Sequence, residues 1–104
     1  MPKIVRLTLF KIGDKDTIQE VIGLYSTLAQ DATKDGKQYI QLAQASAPYD
    51  DHRSQGYNLM ARCVFDSLTD MEYFDQDDEV HAGIKKQLLH KFEERPLIIY
   101  SDMQ

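Results

Sequence analysis

Ile4-Val5-Arg6-Leu7-Thr8-Leu9-Phe10-Lys11-Ile12 is the stretch on which the fold of this chain turns. It is rich in β-branched and apolar residues and is closed by Gly13-Asp14, which predicts a strand. Side-chain alternation puts Val5, Leu7 and Leu9 on one face and Ile4, Arg6, Thr8 and Phe10 on the other, and neither face is simply polar. A sheet that is partly apolar on both sides needs a cover on each. The helices of one small domain supply a single cover, so the second is expected from another copy of the chain, making a homodimer.

The rest of the chain supplies the first cover. Residues 16–33 predict a helix with Asp16 as N-cap and Gln19 three positions on. Ile18, Val21, Ile22, Tyr25, Leu28, Ala29 and Ala32 share one face of it. Tyr25 lies near the middle of that face, so its hydroxyl needs a polar partner or a cavity. Lys34-Asp35-Gly36-Lys37 reads as a helix-ending turn. Residues 39–46 alternate as a second strand, a polar loop follows from Pro48 to Gly56, and residues 57–66 form a third strand. Leu59, Ala61, Cys63 and Phe65 fall on one face of that strand.

Ser67-Leu68-Thr69-Asp70 starts a short helix that runs through Tyr73 or Phe74. A longer helix is expected from about Asp78 to Glu94, ended by Arg95-Pro96, with Leu97-Ile98-Ile99-Tyr100 as the last strand. The order β-α-β-β-α-α-β predicts one α+β domain over residues 1–104. Its architecture is ferredoxin-like: a four-stranded antiparallel sheet with helices on one face. The bare face then predicts a dimeric α+β barrel.

The corner Glu72-Tyr73-Phe74-Asp75-Gln76-Asp77-Asp78-Glu79-Val80-His81 concentrates the candidate chemistry. At about 100° per residue, His81 falls inside the apolar arc of Val80, Ile84, Leu88 and Phe92 and points inward. A buried imidazole needs a hydrogen-bond partner, and Tyr73 is the expected one. The alternative is a satisfied core histidine. His90 projects to the charged side. The acids from Asp75 to Glu79 are expected to favour the helix start rather than bind calcium, because Val80 and Lys86 stand where such a loop needs Gly and Glu.

Charge and cysteine usage exclude several classes. A net charge of -5 with scattered basic residues disfavours nucleic acid or an anionic membrane as a partner. No apolar run approaches the ~20 residues of a membrane span, and the N-terminus lacks the pattern of a signal peptide. The lone Cys63 has no internal disulfide partner and sits in a strand, which fits a buried thiol and a cytoplasmic setting. Asp50-Asp51-His52 has no companion cluster, and neither a metal nor another cofactor is expected.

Taken together, 4-IVRLTLFK-11, Gly56-Tyr57, Val64-Phe65-Asp66-Ser67, Glu72-Tyr73, His81 and Leu97-Ile98-Ile99-Tyr100 resemble the stress-responsive A/B barrel (Dabb) domains, which form dimeric α+β barrels. The resemblance covers nearly the whole chain. It implies a plant polyketide cyclase-like site in which Tyr73 and His81 match an acid–base pair and Tyr25 matches a pocket tyrosine. Arg6 and Leu59 stand where that family and its cyclase carry histidines, and the proline usual before His81 is missing, so the pocket differs in shape and polarity. Arg6, Phe10, Tyr25, Leu59, Ile84 and Leu88 are its expected substrate-binding residues. The activity so implied is a cofactor-free, aldol-type cyclisation of a small apolar or aromatic polyketide-like molecule, with His81 as base. A non-catalytic ligand-binding or stress-associated dimer is the alternative, and cofactor-free oxygenation is a third.

Overall fold

The computed structural model describes residues 2–104. Strands β1 (Lys3–Phe10), β4 (Ile40–Ser46), β5 (Leu59–Phe65) and β6 (Leu97–Met103) form an antiparallel sheet in the order β4-β5-β1-β6. Helices α1 (Lys15–Asp31), α2 (Leu68–Gln76) and α3 (Glu79–Leu88) cover one face, as expected of a ferredoxin-like α+β fold. A two-residue pair, β2 (Thr33–Lys34) and β3 (Lys37–Gln38), lies apart from the main sheet.

β1 runs through the middle of the sheet, pairing with β5 on one side and β6 on the other. Its helix-facing residues Ile4, Arg6, Thr8 and Phe10 are all buried, whereas Val5, Leu7 and Leu9 remain half-exposed on the opposite face. The core lies on the helix side, where Val21, Tyr25 and Leu28 of α1 pack with Leu59, Ala61, Cys63 and Phe65 of β5 and with Phe74 and Ile84. Cys63 is buried there, and that burial pushes its thiol up to about 12. The outer face keeps an uncovered apolar band that includes Leu7, Leu9, Leu97 and Ile99.

Several local expectations need correction. The first helix is capped by Asp14, not Asp16: the Asp14 carboxylate accepts from the Asp16 amide at 3.0 Å and the Thr17 hydroxyl at 3.2 Å. This helix also stops at Asp31, because 33–38 fold back as a hairpin. Asp35 and Gly36 sit at its tip with φ of 54° and 78°, the positive values that a two-residue hairpin turn demands. The third strand starts at Leu59, since Asn58 uses its side-chain amide to bond both backbone groups of Ile12, at 2.8 and 2.7 Å.

The last helix ends at Leu88 rather than near Glu94. His90 then adopts a φ of 71°, which turns the chain so that Phe92 stacks on Phe10 with ring centroids 5.6 Å apart. Backbone pairing of Glu93 with Lys11 at 2.9 Å holds that return, which a continuous helix would forbid. The final strand is longer than expected, reaching Met103.

Candidate functional site

A cavity of about 280 Å³ opens between the sheet, α1 and α3. β1 contributes Arg6, Thr8 and Phe10, α1 contributes Tyr25, and α3 contributes His81, Ile84, Lys85 and Leu88. The turn after α3 and the start of β6 close it with apolar groups, among them Phe92 and Ile98. The space is near the small end of ligand pockets, which run from ~300 Å³ upward.

His81 is placed by the corner between α2 and α3. Asp78 caps α3, its carboxylate accepting from the His81 amide at 2.9 Å, and this turns the first helical residues inward. The imidazole stacks on the Phe74 ring at 3.6 Å between centroids, with 11° between planes. Its Nδ1 lies 2.9 Å from the Phe74 carbonyl. A carbonyl only accepts, so that hydrogen bond puts the proton on Nδ1 and leaves Nε2 with a free lone pair. Burial, opposed in part by this hydrogen bond and reinforced by the Arg6 charge, lowers His81 to about 4. The ring is therefore a neutral base at neutral pH.

Arg6 is 5% exposed and carries its charge into the core from the middle of β1. Its guanidinium donates to Thr8 Oγ1 at 3.2 Å and to Asp75 Oδ1 at 2.8 Å, and lies 5.4 Å from the centre of the Phe74 ring. Nε has no partner among the described residues. Tyr25 is buried on α1, and desolvation raises its hydroxyl well above the ordinary phenol range, keeping it a proton donor.

Not every expected site residue meets at this cavity. His81, Tyr25, Arg6, Phe10, Ile84 and Leu88 line it. Leu59 does not: it is fully buried in the core beneath the helices. The expected Tyr73–His81 partnership is not formed either. The Tyr73 hydroxyl donates to the Thr33 carbonyl at 3.1 Å, and its ring meets Tyr39 edge-on at 5.2 Å, on another side of α2. Consecutive helical residues project about 100° apart. Phe74 therefore takes the inward place beside His81 that the sequence reading gave to Tyr73. Sequence reasoning also missed Phe92 and Ile98 as lining residues, since the first depends on the broken helix and the second on the β1–β6 register.

No group of three or more metal-ligating side chains gathers among the described residues. Among these residues no helix is long and apolar enough to cross a membrane.

No protein-family model matches the chain. A curated relative, a fusaristatin A biosynthesis cluster protein of Gibberella zeae, is 28% identical over 86 residues, which cover 83% of this chain and 62% of the relative. The chain therefore spans less than two thirds of that relative's length. Among solved structures, a dimeric ferredoxin-like protein of unknown function from Bacteroides fragilis superposes with a TM-score of 0.79 at 14% identity, covering 97% of this chain and 96% of its own. The hydroxynitrile lyase of Passiflora edulis superposes with a TM-score of 0.77 at 11% identity, covering 99% and 94%. At such identities the likeness shows the ferredoxin-like fold alone.

Proposed function

We propose that this chain is a homodimer of the A/B barrel type whose cavity performs cofactor-independent acid–base chemistry on a small, largely apolar, polyketide-like molecule. The reaction we assign is an aldol-type ring closure or a related proton-transfer rearrangement. The observation that carries this reading is His81, held in one tautomer by the Phe74 carbonyl on the wall of an apolar cavity. The name of the Gibberella zeae relative, a biosynthesis cluster protein, supports a place in small-molecule biosynthesis. The lyase among the structural neighbours shows that this fold can host an enzyme.

In this reading His81 Nε2 takes a proton from the carbon next to a substrate carbonyl, and the C–H electron pair becomes an enolate. Tyr25 donates a hydrogen bond to that oxygen. The enolate carbon attacks a second carbonyl of the same chain, a carbon–carbon bond forms, and the new alkoxide recovers the proton from His81. An imidazolium is costly in this apolar setting, but the enolate created in the same step is the opposite charge that stabilises it. Holding the flexible chain folded lowers the barrier further.

Dimerisation follows from the outer face of the sheet. Leu7, Leu9, Leu97 and Ile99 form an uncovered apolar band there, and the Bacteroides fragilis neighbour is dimeric. A second reading, a carrier of apolar ligands without turnover, is favoured by the weak basicity of His81.

One experiment separates the two. Linear poly-β-keto acids and their thioesters are incubated with wild type and with His81→Gln, and cyclised products are counted while sedimentation confirms equal dimers. Product that disappears with the imidazole establishes the base; equal product from both proteins removes it. A species that stays monomeric at micromolar concentration would overturn the dimer.

A further inference from the structure

The charge on the cavity wall points to its ligand more narrowly than the base does. The chain carries a net charge of -5, yet among the described residues the charged ones lining this cavity are Arg6 and Lys85, with no acid beside them in the lining. Arg6 is nine-tenths buried, and its guanidinium is only partly satisfied. One N–H goes to Thr8 and one to Asp75. A guanidinium has five such donors, so Nε–H and one proton on each terminal nitrogen lack a protein acceptor in these contacts. Lys85 is anchored nearby, its ammonium donating to the backbone carbonyl of Asp75 at 2.9 Å.

We infer that the cavity selects small apolar molecules bearing a carboxylate, with Arg6 receiving the carboxylate and Phe10, Ile84, Leu88 and Phe92 receiving the apolar body. This inference rests on the reading of the cavity as a small-molecule site. A planar carboxylate matches the two terminal nitrogens of the guanidinium, whereas a neutral head group leaves their remaining protons unfilled. Asp75 is the internal competitor. Its side chain is 37% exposed and can turn outward when a ligand carboxylate takes its place on Arg6. Arg6 is thus a specificity-determining residue.

The test uses isothermal titration of the intact protein with octanoate, octanol and octylamine. Wild type should bind octanoate about tenfold or more tightly than octanol, the effect of hydrogen bonds to a charged group, and octylamine weakest. In Arg6→Met the octanoate advantage should vanish while octanol binding persists. In Asp75→Asn, which removes the competitor, octanoate should bind several-fold tighter than to wild type. Octanoate binding no tighter than octanol in wild type overturns the inference, as does an advantage that survives in Arg6→Met. Should Arg6→Met fail to fold, an octanoate affinity in Asp75→Asn that is unchanged or weaker does the same.

The two readings fail separately. Equal binding of octanoate and octanol alongside His81-dependent turnover sinks the carboxylate subsite and spares the base. An octanoate advantage without turnover does the reverse.

Discussion

The corner between α2 and α3 has two sides, and they treat their polar groups oppositely. On one side Tyr39 donates to Asp78 at 2.6 Å, Asp78 caps α3, and Tyr73 donates to Thr33, so each group serves another. Burial and the Asp78 carboxylate both hold the Tyr39 hydroxyl far above the phenol range, as befits a permanent donor. On the other side, among the described residues, His81 Nε2 keeps a free lone pair and the buried Arg6 Nε has no acceptor, and both residues line an apolar cavity. A closed polar network stabilises a fold, whereas unfilled buried valences cost stability and persist where something else fills them. In the function proposed above, the first side serves the fold and the second the chemistry, and each of the following measurements can break that contrast.

The largest expected effect is on turnover. His81→Gln should lower the rate by ~10²–10⁴, the range a positioned base supplies, while equal octanol affinity in the same variant would show the cavity intact. On the closed side, Asp78→Ala removes a helix cap and orphans the Tyr39 hydroxyl. A stability loss of ~2–4 kcal/mol by urea denaturation is expected; a loss below ~1 kcal/mol would mean the network is not closed.

Acid should expose the strain on the cavity side. His81 is lowered in the folded state from its ordinary 6.5 to about 4, so between those values the unfolded chain binds more protons than the folded one. Stability is complete above the ordinary value and falls as pH drops toward 4, by ~3 kcal/mol from this group. Melting temperatures of wild type and His81→Gln, measured across that window, should converge toward the acid end; parallel curves would contradict the burial of a neutral imidazole. The smallest effect is expected from Tyr73→Phe. It loses one hydrogen bond, ~1 kcal/mol or less, and should keep wild-type turnover. A large loss of activity would bring Tyr73 back into the chemistry and dissolve the contrast between the two sides.

The sequence was most legible where one periodicity governs an element. Alternation along β1 put Arg6, Thr8 and Phe10 on one face, which the structure turns toward the helices, and the helical stripe placed His81, Ile84 and Leu88 inward, as observed. Tyr25 was found the same way on α1. It failed where contacts distant in sequence compete with local preference. The last helix was extended past Leu88 because Phe92 continues its apolar stripe, yet Phe92 reaches the same cavity from a turn, drawn there by Phe10. The Asp35-Gly36 turn was recognised, but the strands that flank it are only two residues each, too short to leave a pattern.

By itself, then, the sequence determined the fold class, the inward histidine and the shared face of Arg6, Thr8 and Phe10 on the first strand, because these follow from periods of about 2 and 3.6 residues. Only the tertiary structure decided which groups meet. Tyr73 and Phe74 are neighbours in the chain, and which of them faces His81 depends on the orientation of a short helix against the sheet. That orientation is set by Phe74 packing on Phe65 at 5.2 Å, a contact nine residues apart that no local pattern encodes.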